Sequence, residues 1–430
     1  MASPAAPEKE PPIPSLAHIL IWLIVIAAGA GVAARPFRWP EAVWAVSGAL
    51  ALVAFGLVSA SDARAAAVRG TDVYAFLVGM MLLSETARRE GLFDAAAALA
   101  VNLARGSPRR LFALIYVVGV VVTVFLSNDA TAVVLTPAVF AAARKAGAEP
   151  LPHLFVCALV ANAASFVLPI SNPANLVLYD GHLPPLCEWL ARFGAPSVLA
   201  IAATYALLAW AERRGLKGRC AEKVEPPRVS AGAWTCLAAL VVTAVALMTV
   251  SGLGLPLGLP TLILGAATAI VVLLRDRASP WRLLGGIAWQ IVPLIAGLFV
   301  LVEGLARTGV IAHLAALVAA HDAEQPRTTG ALAGAIAALA SNLTNNLPAG
   351  VVASSTALAA HATRAVVDPL LIGIDLGPNL SITGSLATIL WLAAIRREGE
   401  HVGFWRFLKT GAVVMPPALI LALAARLIFR

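Results

Sequence analysis

The chain has 430 residues, 60% hydrophobic and 13% charged, with a mean hydropathy of +0.87 and a formal net charge of +8. Soluble domains carry about 45–50% apolar and about 25% charged residues, so the composition excludes a cytosolic enzyme, a disordered chain and a nucleic-acid binder. The apolar runs are continuous and about 20 residues long, which predicts an all-α polytopic membrane protein rather than a β-barrel.

In chain order the apolar runs fall near 16–34, 40–60, 73–87, 110–126, 131–143, 153–178, 194–211, 231–251, 256–274, 287–306, 329–341, 346–361, 366–395 and 405–428. The polar, Pro-rich tail 1–15 has no cleavable-signal pattern, so the first run reads as a span that is kept. Two pairs of short runs meet at polar tips, 127–131 and 341–348, and read as re-entrant hairpins. Two longer runs are interrupted at 168–175 and 375–385, where Gly and Pro sit among Ser, Asn and Thr. The expected architecture is about 10 transmembrane helices plus two re-entrant hairpins and two broken helices.

These features repeat. E-T-A-R-R-E-G begins at Glu85 and E-G-L-A-R-T-G at Glu303; Ser127 follows Glu85 by 42 residues and Ser341 follows Glu303 by 38. The first repeat spans 16–213 and the second 231–430, joined by the hydrophilic linker 214–230. With five crossings per half the second repeat is inverted relative to the first. Of the 31 Lys and Arg residues, 22 fall on the side of segments 88–110 and 212–230 and nine on the other. The positive-inside rule makes the basic side, and with it the linker, cytoplasmic and leaves both termini outside.

Irregular backbone at membrane depth is tolerated only where it is buried in protein or lines a cavity. Inverted repeats with matching broken helices point to a carrier's midplane site. The candidate substrate-binding residues are Ser127, Asn128 and Thr131 at the first tip, and Ser171, Asn172 and Asn175 at the first break. The second repeat adds Ser341, Asn342, Thr344, Asn345 and Asn346 at its tip and Thr383 and Ser385 at its break. Their neutral donors and acceptors suit a small solute with several hydroxyl or oxo groups. Asp129 and Asp375 are the carboxylates at mid-depth, and an intramembrane acid is a candidate for proton coupling. Glu85 and Glu303, nearer span ends, are expected to pair with Arg89 and Arg307 four residues on. Cys157, Cys187, Cys220 and Cys236 form no C-x-x-C pair, so neither a metal site nor a disulfide is expected, and no cofactor motif occurs. H-E-x-x-H and G-x-S-x-G are absent, which argues against a membrane-embedded enzyme.

F-L-S-N-D-A-T-A-V-V-L-T-P (Phe125 to Pro137) resembles the first-hairpin motif of arsenite efflux permeases of the ArsB type, within the ion transporter superfamily. T-N-N-L-P (Thr344 to Pro348), I-G-I-D-L-G-P (Ile372 to Pro378) and G-S-L-A-T (Gly384 to Thr388) resemble that family's second half; Asn379 departs from the Lys often found after D-L-G-P. The resemblance implies proton-driven export of arsenite and antimonite from a bacterium across its inner membrane, by alternating access. A homodimer and a soluble arsenite-stimulated ATPase are the partners it suggests beyond the lipid bilayer. The alternative within the superfamily is a sodium-coupled carboxylate or anion carrier, or a sodium/proton antiporter. Arsenous acid is a neutral trihydroxide, and hydroxyl and amide side chains would hold it without the near-irreversible grip of a thiol cage. A cysteine-free variant should therefore keep its transport rate in a vesicle assay; loss of transport would restore thiolate coordination.

Overall fold

The computed structural model describes residues 16–179, 183–225 and 230–428. The tail 1–15 and part of the linker, 226–229, lie outside the described residues. All regular structure among the described residues is helical. Five helices are long and apolar enough to cross a membrane, or seven when two pairs bent by 47° and 41° each count as one span. Fewer helices pass this test than the ten crossings expected: Glu41–Ala54 and Pro150–Ala163 are apolar but shorter than a span, while Pro108–Phe125, expected as a half-length hairpin arm, is long enough to cross.

The two halves run through the same elements. Leu16–Ala34, Glu41–Ala54 and Thr71–Arg89 in the first half are answered by Ala231–Gly252, Gly258–Asp276 and Ile291–Ala306 in the second. Leu92–Ala104 answers to Val310–Glu324, and the final helices Leu186–Ala211 and Phe404–Ile428 correspond. The first hairpin is Pro108–Phe125 followed by a short turn, a π-helical segment Thr131–Leu135 and Thr136–Lys145. The second is Pro326–Thr344 followed by Asn346–Ala359. Each half then has a broken helix: Pro150–Ala163 with Pro173–Leu178, and Arg364–Leu376 with Leu386–Arg397. Ser107 starts the first hairpin by accepting from the Arg110 amide at 3.4 Å, and Pro108 sits where its missing N–H costs nothing.

Packing crosses between the halves. Thr71–Arg89 lies along Gly258–Asp276, and the equivalent exchange sets Glu41–Ala54 along Ile291–Ala306. Glycine makes the first approach possible: a Cβ on Gly265 would strike the Gly79 carbonyl oxygen, and one on Gly79 would strike Thr261. In the second pair a Cβ on Gly297 would lie 2.8 Å from the Ala45 backbone. Apolar burial drives helices together weakly in lipid, so close backbone packing at small residues carries the association.

Two sequence expectations need correction. Segments 88–110 and 307–329 are not simple loops but contain Leu92–Ala104 and Val310–Glu324, both too short to register as spans. Glu85 does meet Arg89 at 2.8 Å and Arg88 at 2.6 Å, but Glu303 binds Arg69 at 2.6 Å, while Arg307 pairs with Asp62. The first ion cluster is local to its helix; the second ties the two halves. The linker is docked: the Cys220 and Ala221 amides donate to the Gly106 and Ala146 carbonyls, and the Val224 amide to Asn102.

One buried ion cluster locks the final helices. Asp368 is fully buried and takes Arg426 at 2.6 Å, Arg192 at 3.3 Å and the Tyr179 hydroxyl at 2.8 Å. Removing one partner of a buried pair leaves the others charged and unsolvated, at about 3–5 kcal/mol. Asp368→Ala should lower the unfolding midpoint sharply in a detergent thermal melt, whereas Asp62→Ala, on an exposed pair, should shift it little.

Candidate functional site

The first break illustrates how unwound backbone is satisfied. Helix Pro150–Ala163 ends, and the chain passes through a 3-10 turn, Pro169–Ser171, before Pro173–Leu178 begins. Proline at 169 and 173 removes donors that would have had no partner there. The freed carbonyls are taken by side chains. Asn175 Nδ2 donates to Ser165, Leu168 and Pro169 oxygens at 3.0–3.3 Å. Trp189 Nε1 donates to the Phe166 oxygen at 3.1 Å, and Ser165 Oγ to the Asn162 oxygen at 2.7 Å. Ser171 Oγ reaches out of the break to the Val124 carbonyl at 3.0 Å, tying it to the first hairpin.

The second break is satisfied differently, by the second hairpin. Asn342 Nδ2 donates to the Gly377 oxygen at 2.9 Å, and its Oδ1 accepts from Ser381 Oγ at 2.8 Å. Thr383 Oγ1 donates to the Asn342 carbonyl, and the Asn346 amide to the Gly384 carbonyl, both at 2.9 Å. A Cβ on Gly377 would collide with Ala338, which fixes why glycine opens this break. Ser385 caps Leu386–Arg397 by accepting from the Thr388 amide at 3.0 Å.

Asp375 joins the two breaks. Its carboxyl group is fully buried; one oxygen accepts from Asn172 Nδ2 at 2.8 Å, and the other lies 2.7 Å from Ser165 Oγ, whose single proton is contested by the Asn162 carbonyl. Asn172 also caps Pro173–Leu178 through its Oδ1, which accepts from the Ala174 amide at 3.0 Å. Beside this pair, Asn162 Nδ2 donates to Asn379 Oδ1 at 3.0 Å and faces Thr388 Oγ1 at 3.4 Å. Asn379 occupies the place where a lysine was expected, and it serves this amide network, donating to the Leu159 carbonyl at 3.0 Å.

At the first tip, Ser127 accepts from the Ala130 amide at 3.1 Å, and Asn128 Oδ1 from the Asp129 amide at 3.0 Å. Asp129 is half-buried, and its carboxylate has no partner among the described residues. Thr131 points back into the hairpin, 2.8 Å from Thr123 Oγ1. Helix Leu386–Arg397, beyond the second break, packs on this tip and on the π-helical segment, while Asn346–Ala359 of the second hairpin packs on Pro173–Leu178.

The second tip is narrower than 341–348. Ser341, Asn342 and Thr344 lie in the last turns of Pro326–Thr344, and the reversal falls on Asn345 alone, at φ +79° and ψ 152°. Side-chain residues rarely adopt that region, at a cost of about 1–3 kcal/mol. Asn345 Oδ1 accepts from the Leu347 amide at 3.4 Å, so the side chain caps the descending helix. Thr344 is set apart from the polar network: it is exposed and lines an apolar cavity of about 880 Å³, its hydroxyl spent on backbone carbonyls. Ser341 is turned onto the Ala338 carbonyl.

Three amide oxygens are buried without a hydrogen-bond partner among the described residues: those of Asn162, Asn175 and Asn346. Each is an acceptor with room for one more donor. Neither Asp129 nor Asp375 is ion-paired to Lys or Arg among the described residues, and no His/Cys/Asp/Glu group there could hold a metal. The four cysteines are free. Sequence reasoning missed Ser165, which sits in an apolar stretch outside any motif, and passed over Thr388 although it closes the G-S-L-A-T motif. The repeat did carry a signal for Asn162, which is next to the position equivalent to Asp375.

The sequence model of the family described as citrate transporter matches residues 20–376. The chain is 27% identical over 372 residues to the Arsenical pump membrane protein of Escherichia coli K12, covering 82% of this chain and 85% of that protein. It is 26% identical over 405 residues to the Arsenical pump membrane protein of Yersinia enterocolitica, covering 89% and 92%. The fold matches the YdaH transporter of Alcanivorax borkumensis, described as having an unusual topology, with a TM-score of 0.58 at 16% identity over 85% of this chain and 86% of that one.

Asn345→Gly should relieve the strained backbone and raise stability by about 1 kcal/mol, read in a thermal melt, while weakening substrate affinity through loss of the amide. Asn345→Ala should lose on both counts.

Proposed function

Because the chain belongs to the citrate transporter family of membrane carriers, we propose that it is a secondary active exporter of trivalent arsenic and antimony that exchanges the metalloid for protons. One observation carries this reading. Two intramembrane carboxylates, Asp129 and Asp375, sit at the helix interruptions among neutral amides and hydroxyls, with no cationic partner among the described residues. A bare carboxylate in a low-dielectric interior is costly, and a proton relieves that cost. Its loading and release couple charge movement to a solute that carries none.

The surrounding chemistry supports a neutral polyhydroxyl solute. Asn162, Asn175 and Asn346 offer unpartnered acceptor oxygens, and arsenous acid brings three hydroxyl donors. The relatives named Arsenical pump membrane protein span most of the chain and favour the metalloid over the family's titular substrate. The magnitude is adequate: one proton crossing about 150 mV releases ~3.5 kcal/mol, which sustains a gradient of roughly a few hundredfold.

In this reading Asp375 senses the two halves together, because its proton and its bonds to Asn172 and Ser165 compete for the same oxygens. Substrate hydrogen bonding near Asn162 would feel that competition through the shared network. Alternating access then amounts to the two breaks exchanging which side they open to, with the basic face cytoplasmic.

Everted vesicles with an acidic, positive interior should accumulate trivalent arsenic and antimony, and a protonophore should collapse the gradient. Asp129→Asn and Asp375→Asn should each abolish coupled accumulation while still inserting in the membrane. Asn128→Ala should raise the half-saturating metalloid concentration several-fold and leave the proton dependence unchanged. Sodium-dependent citrate flux with no metalloid accumulation would replace this reading with a carboxylate carrier.

A further inference from the structure

A second polar site lies away from the breaks, where four helix ends meet. A cavity of about 460 Å³ is lined by Arg192, Arg327, Arg364, Arg426 and Glu188. Three of the helices begin there: Leu186–Ala211, Pro326–Thr344 and Arg364–Leu376. No N-cap side chain closes any of the three; the Asp322 carboxylate already meets the start of Arg364–Leu376 at the Thr363 amide and hydroxyl, and the positive dipole ends of the other two are available to an anion. The fourth, Phe404–Ile428, ends there.

The charges do not balance. Among the described residues the four guanidiniums meet two carboxylates, Glu188 and the buried Asp368, and a third, buried Asp322, is spent on the Thr363 amide and hydroxyl beside Arg364. Arg192 is nearly buried and divides itself between them, 3.1 Å from Glu188 and 3.3 Å from Asp368. Arg426 holds the other Asp368 oxygen at 2.6 Å, and Arg364 holds Glu188 at 2.5 Å. Arg327 is exposed at the rim and makes no ion pair among the described residues. The carboxylates thus anchor three arginines in place and leave an excess of positive charge facing the cavity. These four belong to the nine Lys and Arg on the less basic side of the chain, so their convergence is not a by-product of the positive-inside bias.

The geometry points to an oxyanion site for a phosphate group, held by Arg327 and Arg364 at its mouth and by the N-termini of Leu186–Ala211 and Pro326–Thr344 behind them. Guanidinium forks match phosphate oxygens bidentately, and a cavity at helix ends lies at headgroup level, so the phosphate belongs either to an anionic lipid or to the free ion. Arsenous acid, being neutral, has no use for it, and the site stands whether or not the export reading holds.

The test uses the full-length protein. Wild type is compared with the double variant Arg327→Ala/Arg364→Ala and with Arg109→Ala/Arg110→Ala, which removes two exposed arginines elsewhere. Thermal unfolding is followed in detergent against inorganic phosphate, with chloride at matched ionic strength, and in nanodiscs of phosphatidylglycerol or phosphatidylcholine. Stabilisation of wild type by phosphate, weakened at least tenfold in the first variant and unchanged in the second, supports the site with the free ion as ligand. Stabilisation only by phosphatidylglycerol, lost in the first variant alone, supports it with a lipid headgroup. No response of wild type to either probe, or equal responses in all three proteins, overturns it.

Discussion

The structure depends on one constraint: a helix interrupted inside a membrane must find partners for the backbone groups it frees. Each of the two breaks frees carbonyls, and several of them in each are answered by a named donor. In the first break the donors are Asn175 and Trp189, supplied by the elements that follow it. In the second they are Asn342 and the Asn346 amide, supplied by the neighbouring hairpin. The hydroxyl and amide residues clustered at these places are therefore first of all structural. What remains after that accounting is small: the partnerless oxygens of three asparagines and two carboxylates without cations. The candidate site is this remainder, which is why so few groups in it are available for chemistry.

The difference between the two breaks has physical content. The first break meets its hairpin through one side-chain hydrogen bond, Ser171 to the Val124 carbonyl, with the rest of that contact made by packing. The second break and the second hairpin share hydrogen bonds at four points and behave as one body. Strain is concentrated there too, at Asn345. The internal repeat is thus one of element order, with unequal mechanics in its halves.

Much of this was legible in the residues. Gly, Pro and Asn punctuation within apolar runs marked both tips and both breaks, because few other residues interrupt a buried helix. The repeat was legible through the spacing of Glu85 and Glu303 from the Ser-Asn pairs that follow them. The short helices Leu92–Ala104 and Val310–Glu324 were not, since each is Ala-rich and falls short of the length of a span. Nor was the Arg69–Glu303 pair, whose partners are 234 residues apart, because local spacing favoured Arg307. Ser165 escaped for a third reason: a serine in an apolar stretch has no pattern until the other half brings Asp375 to it.

The exchange of partners at Gly79 and Gly265 has a consequence for how the protein is made. When the ribosome has finished the first half, helices Glu41–Ala54 and Thr71–Arg89 are in the bilayer, yet the surfaces that receive them have not been translated. Their close-packing faces wait against lipid until residues 258–306 arrive. The first half is thus an unfinished intermediate, and the docked linker determines which copy completes it. By holding the second half beside loops 105–106 and 146 of the same chain, it favours pairing in cis over a swap between two newly made molecules.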